Sequence, residues 1–114
     1  MSDALNKLIE AVEAGAATMN DFASVFPSES AYGKTTWGTA HNAFSGSVDA
    51  AKKLHEALLP GWFPGMSKNL HSGLWYAWVQ DKESVQFCAN EPTPARAWLL
   101  AVLRAYASQQ EPTP

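Results

Sequence analysis

Hydrophobic residues recur at helical spacing in three segments of the N-terminal half of the chain, with polar residues on the opposite face. The segments span residues 2–15, 18–27 and 47–60. Side chains suited to N-terminal capping stand at the start of each one: Ser2 or Asp3, Thr18 with Asp21 three residues later, and Ser47. The pattern therefore predicts three helices whose apolar faces contribute to one core.

The stretch between the second and third helices, residues 28–46, is rich in serine, threonine and glycine. That composition is typical of a loop. Residues 36–44 could form a helical turn within it, and Trp37 is the large aromatic residue that such a loop would present as an anchor for a partner.

From residue 62 onward the hydrophobic period shortens, and residues 62–68, 74–80 and 84–89 predict three short strands joined by polar turns. Both faces of the middle strand are apolar, which predicts a sheet covered on both sides. Pro64 and Gly65 interrupt the first strand and indicate an edge position or a bulge.

The final predicted helix is the most apolar segment of the chain. Thr93 is its N-cap and Pro94 is its first helical residue, a position where the missing N–H of proline costs nothing. A helix this apolar is either central in the fold or in contact with a partner. Residues 109–114 have little to bury and predict a disordered tail, so residues 1–108 are expected to form a single α+β domain.

Composition narrows the classes of function. Of the 114 residues, 46% are hydrophobic and 17% are charged, with five tryptophans and a formal net charge of -3. The basic residues are scattered, which argues against nucleic-acid binding. We also expect no membrane association and a cytoplasmic location, since neither a signal sequence nor a long apolar run is present.

Candidate catalytic and metal-binding residues do not form a known constellation. His41, His55 and His71 lie 14 and 16 residues apart, without a cysteine or carboxylate at ligand spacing. Cys88 is the single cysteine, and between Phe87 and Ala89 it is expected to be a small apolar residue of a strand. The sequence thus predicts no enzymatic activity, no cofactor and no metal.

The candidates that remain are residues for partner binding. Arg96, Leu100 and Arg104 are spaced four residues apart and would form one outward strip of the last helix. Interfaces are enriched in arginine and aromatic residues, which makes this strip and Trp37 the predicted partner-binding residues. The alternative interpretation is that the two arginines only make the helix soluble.

Two stretches, "GSVDAAKKLHEALLPGW" and "TPARAWLLAVLRAYA", flank a strand that contains "AWVQ". In this order and spacing they resemble the phage ABA sandwich domain family of small phage and prophage proteins. The resemblance implies an α+β fold with three layers, α/β/α, built from a small antiparallel sheet of about three strands and about four helices. It is interrupted at "FPGMSKNLHSG", and it implies no catalytic residues.

The function that the resemblance implies is that of a phage accessory protein in the bacterial host cell. We expect it to bind a host or phage protein, for example to inhibit a host defence system in the manner of an anti-CRISPR protein. One alternative is a structural or self-assembling phage component, such as a homodimer. A second is an enzyme or small-ligand binder with a polar pocket near His41 or His71.

Overall fold

The computed structural model describes residues 3–26, 36–83 and 85–110. In these residues five helices and three strands follow one another along the chain: α1 (Asp3–Glu13), α2 (Met19–Val25), α3 (Thr36–Phe44), α4 (Val48–Leu58), β1 (Phe63–Lys68), β2 (Trp75–Gln80), β3 (Gln86–Glu91) and α5 (Pro94–Gln110). The α+β class and the small antiparallel sheet are confirmed.

The helix starts follow the predicted capping chemistry. Thr18 and Asp21 form a capping box, in which the Asp21 carboxylate accepts the Thr18 backbone N–H at 2.8 Å. The hydroxyls of Ser47 and Thr93 each accept the backbone N–H three residues later, at 3.1 and 3.2 Å. These bonds satisfy N–H groups that have no partner within their own helix.

Helix α3 is the element that the sequence predicted only as a helical turn within a loop. It has nine residues and buries Ala40 and Ala43, whose small side chains let it approach its neighbours. Of the predicted loop, residues 28–35 lie outside the described part of the chain.

The sheet has the order β1-β2-β3, with both pairs antiparallel. Strand β1 is an edge strand that runs through Pro64 and Gly65 without losing its register, as the edge prediction allows. The turns at the two ends of β2 are closed by side chains: Asn69 accepts two backbone N–H groups between β1 and β2, and Asp81 accepts two between β2 and β3.

Helix α5 is the centre of the molecule. It packs against the sheet on one side and against α1, α3 and α4 on the other. Nine of its residues have an exposed fraction of 8% or less: Ala95, Ala97, Trp98, Leu99, Leu100, Ala101, Val102, Leu103 and Ala105. The three layers are therefore the sheet, α5 and the remaining helices, because a helix that is apolar on nearly all sides must be covered on all sides.

This layer order leaves one face of the sheet without a helix in the described residues. Ala77, Val79 and Ala89 face α5 and are buried. Tyr76 and Trp78 point the other way and stay half-buried. The expectation that helices cover both faces is therefore not met on this side.

Helix α5 continues to Gln110 and so includes the first two residues of the predicted tail, and residues 111–114 lie outside the described part. Among the described helices, none combines the length and the apolar character needed to cross a bilayer.

Candidate functional site

The side of the sheet that faces away from α5 has no described helix on it, and we call it the open face. Strand register brings nine residues together on it: Phe63, Gly65, Ser67, Tyr76, Trp78, Gln80, Gln86, Cys88 and Asn90. None of them is a lysine, arginine, aspartate or glutamate. The open face is thus an uncharged surface of aromatic rings bordered by amide and hydroxyl groups.

Trp78 occupies the middle of the open face, and its indole ring lies against Gly65 of the neighbouring strand. A Cβ atom at position 65 would stand 2.0 Å from Cε2 and Cζ2 of Trp78, well inside contact distance. The Tyr76 ring follows on the same strand, with its centroid 5.6 Å from that of Trp78. Glycine at position 65 therefore leaves room for the ring, and any larger residue there would have to displace the indole.

Exposed apolar side chains concentrate around the sheet. Phe63 on the open face has an exposed fraction of 61%, and Leu70 in the β1–β2 turn has one of 88%. Val85 in the β2–β3 turn is also exposed. Leu70 and Val85 lie in turns at opposite ends of the sheet, so of the three only Phe63 belongs to the open face itself.

Cys88 is exposed on the open face, where the sequence had indicated a small buried residue. The prediction is wrong because it assumed a covered sheet. The interaction of Tyr76 with the Cys88 side chain raises the pKa of the tyrosine above its ordinary value, and burial raises that pKa further. Both groups thereby belong to the polar part of the open face.

The predicted outward strip on α5 is wrong at Leu100. That side chain is 1% exposed and lies in the core cluster. A spacing of four residues does place side chains on one side of a helix, but every side of α5 is in contact with another part of the fold. Leu100 is therefore a core residue.

Arg96 holds together elements that meet at the start of α5. Its Nε donates to Oε1 of Glu91 at 2.6 Å, and Glu91 has only 7% of its surface exposed. The guanidinium carbon lies 5.4 Å from the ring centroid of Phe44, and the guanidinium group also passes beside Gly15. Arg96 thus connects β3 and α5 to the ends of α1 and α3.

Arg104 has a similar internal role further along α5. Its Nη1 donates to the backbone oxygen of Cys88 at 2.6 Å, and its Nη2 pairs with the Glu13 carboxylate of α1. The bond to Cys88 occupies a carbonyl of β3, which is an edge strand. Both arginines therefore have intramolecular partners, and Arg104 also keeps an exposed part, with a relative side-chain exposure of 34%.

Trp37, the fourth predicted partner-binding residue, lies on α3 and not in a loop. It is half-buried and packs against the core. It shares no surface with the open face, because α3 belongs to the layer on the far side of α5.

The three histidines have separate environments. His41 packs edge-on against Phe22, with 5.8 Å between ring centroids, and His71 is exposed in the β1–β2 turn. His55 is 4% exposed; its Nδ1 accepts the indole N–H of Trp98 at 3.2 Å, and its Nε2 bonds to the backbone oxygen of Trp62 at 2.9 Å. No group of three potential metal ligands occurs in the ranges that the structure describes.

A pocket of about 480 Å³ lies beside His55, between α4, the start of β1 and α5. It is mostly apolar and is lined by Lys52, His55, Glu56, Leu59, Pro60, Gly61, Trp62, Pro64 and Trp98. The enzyme alternative had placed a polar pocket near His41 or His71, so this cavity differs from that expectation in both place and lining.

Comparison of the chain with known protein families, with curated proteins and with solved structures gives no match. The resemblance to the phage ABA sandwich domain family stays a prediction.

Proposed function

We propose that this chain is a binding protein and that its open face is the surface that contacts a partner protein. The observation that carries the proposal is the uncharged aromatic face centred on Trp78, which no described helix covers. Tryptophan and tyrosine are the residue types that dominate binding energy at protein interfaces, and charged residues are depleted at interface centres.

The rings of the open face are held in place before a partner arrives. Trp78 packs on Gly65, and the Tyr76 ring lies 5.6 Å from the Trp78 ring, so these side chains have less freedom left to lose on binding than isolated ones. An interface made of pre-ordered rings has a smaller entropic cost than one made of long flexible side chains. The absence of basic residues from the face disfavours a nucleic-acid partner, which would bring phosphate charge.

The size of the open face also constrains the partner. Three strands of six residues cover roughly 300 Å² of flat area, from strand spacings of about 4.8 Å and rises of about 3.3 Å. A stable protein interface takes about 800 Å² from each side. We therefore place the outer part of the contact on the exposed turn that carries Leu70.

Self-assembly by strand addition is disfavoured at both edges of the sheet. Pro64 removes a backbone donor from β1, and Arg104 occupies the Cys88 carbonyl of β3. Both features oppose the pairing of an edge strand with another copy. They favour a partner that packs on the open face and disfavour a partner that adds a strand to the edge of the sheet.

The biological setting of this proposal comes from the sequence resemblance alone. We propose a phage accessory protein that binds a host or phage protein inside the bacterial cell, with inhibition of a host defence system as the specific form. The aromatic face supports the binding part of this proposal and does not name the target.

A comparative capture experiment tests the proposal. Three proteins are immobilised separately: wild type, Phe63→Ser, which changes the open face, and Met19→Ser, which changes α2. The two variants are matched because both residues are large, apolar and more than half exposed, at 61% and 51%. We expect a bacterial partner that is retained by wild type and Met19→Ser and lost with Phe63→Ser. Equal retention by all three proteins, or selective loss with Met19→Ser, contradicts the proposal.

A further inference from the structure

We infer that the pocket between α4 and α5 binds a small zwitterion with an aromatic ring, that is, a free aromatic amino acid. The site is separate from the open face and does not rest on the proposed protein-binding function. Its volume of about 480 Å³ is in the range of known ligand pockets, roughly 300–1,000 Å³.

The walls of the pocket are rings. Five of the nine lining residues carry rings: Trp62, Trp98, Pro60, Pro64 and His55. Flat apolar surfaces of this kind suit the faces and edges of an aromatic ring. The body of the ligand is therefore an aromatic group.

The polar atoms at the base of the pocket already have partners. An indole N–H can only donate, so the bond from Trp98 makes Nδ1 of His55 an acceptor and leaves the ring proton on Nε2. That Nε2–H donates to the Trp62 backbone oxygen at 2.9 Å. His55 thus fixes the indole of Trp98 and the backbone of Trp62, and it has no ring nitrogen left for a ligand or a metal.

Charge recognition comes from the rim. Lys52 and Glu56 line the pocket, both are exposed, and they lie one turn apart on α4. Within the described residues neither side chain forms an ion pair. An ammonium and a carboxylate side by side on one rim complement a ligand that has both a carboxylate and an ammonium group, and they favour it over a purely anionic or purely cationic one.

The test uses wild-type protein and three ligands that share one ring: L-phenylalanine, phenethylamine without the carboxylate, and 3-phenylpropionate without the amine. Isothermal titration gives the affinities, and the indole N–H signals in an NMR spectrum give the location. We expect L-phenylalanine to bind two- to fivefold more tightly than either analogue, the increment that one exposed ion pair provides. The signals of Trp62 and Trp98 should shift with saturation, and that of Trp78 should not.

Matched variants separate the two rim charges. Lys52→Met should remove the preference for L-phenylalanine over phenethylamine, and Glu56→Gln should remove the preference over 3-phenylpropionate. Both residues are exposed, so the fold should be unaffected. No saturable shift at Trp62 or Trp98 up to about 10 mM ligand overturns the inference. Shifts confined to Trp78, or equal affinity for all three ligands in wild type, overturn it as well.

Discussion

The indole ring of Trp78 on β2 lies against Gly65 on β1, so close that a Cβ atom at position 65 would stand 2.0 Å from the ring. The contact joins an edge strand to the middle of the open face. It also explains a glycine at a strand position where glycine is normally unfavourable.

Gly65→Ala should lower the free energy of unfolding by about 1–3 kcal/mol, the usual cost of forcing an extra methyl group into a packed site. The methyl group must displace the indole, since φ at Gly65 is not in the left-handed region and strain of the backbone is not the cause. Urea denaturation measures the change. In the double variant Gly65→Ala, Trp78→Ala the cost of the alanine at 65 should largely disappear, and an unchanged cost would contradict the packing explanation.

Leu100 gives the sharpest contrast between the strip predicted from sequence and the core found in the structure. Leu100→Ala should cost about 2–5 kcal/mol because the side chain is 1% exposed. Leu100→Glu should prevent folding, since it would bury an unpaired carboxylate. Circular dichroism and thermal unfolding check both variants. A folded Leu100→Glu protein of near wild-type stability would contradict the burial of this residue.

The two arginines of α5 should differ in their energetic roles. Arg96→Met leaves the buried Glu91 carboxylate without its partner and should cost about 3 kcal/mol. Glu13→Gln breaks the exposed pair with Arg104 and should cost less than about 1 kcal/mol. Denaturant titration of the two variants measures the difference, and equal costs would contradict the distinction.

The interaction between Tyr76 and Cys88 has a consequence at alkaline pH. The raised pKa of Tyr76 means that folding favours the protonated phenol. This stabilisation is fully present below the ordinary tyrosine pKa of about 10 and is lost as the pH rises through the raised value. The free energy of unfolding should therefore fall as the pH rises from about 10 through the raised pKa of Tyr76. In Cys88→Ala this fall should be smaller.

Ultraviolet absorbance of the tyrosinate, taken as the difference between wild type and Tyr76→Phe, isolates this one titration. In Cys88→Ala the midpoint should move down toward the ordinary value. A midpoint that stays the same would show that the cysteine is not the cause of the raised pKa.

Much of the local structure followed from the sequence. The capping box of Thr18 with Asp21, the N-caps Ser47 and Thr93 and the first two strands lie where the spacing predicted them, and the third strand begins and ends two residues later than predicted. These features depend on residues close to one another in the chain, which a pattern can record.

What the sequence did not predict is which layer lies in the middle. The alternating aromatic residues on β2 are compatible with a sheet in the middle layer, and the apolar character of α5 is compatible with a helix in the middle layer. The sequence did not decide between these two arrangements. Because α5 takes the centre, Leu100 is buried and Trp78 and Cys88 are left on an uncovered face. The one available signal was that α5 has almost no polar side.

The pocket beside His55 was equally beyond sequence reasoning. It brings Trp98 of α5 into contact with His55 of α4, which is 43 residues earlier in the chain. No spacing rule relates two positions so far apart.

The most direct test of the open face as the binding surface uses its single thiol. A photoactivatable cross-linker on Cys88, the sole cysteine of the chain, is compared with the same group on a cysteine that replaces Met19 in a Cys88→Ala background. We predict that the captured partner is cross-linked from position 88 and not from position 19. Cross-linking from position 19 alone, or with equal yield from both positions, would contradict the assignment of the open face.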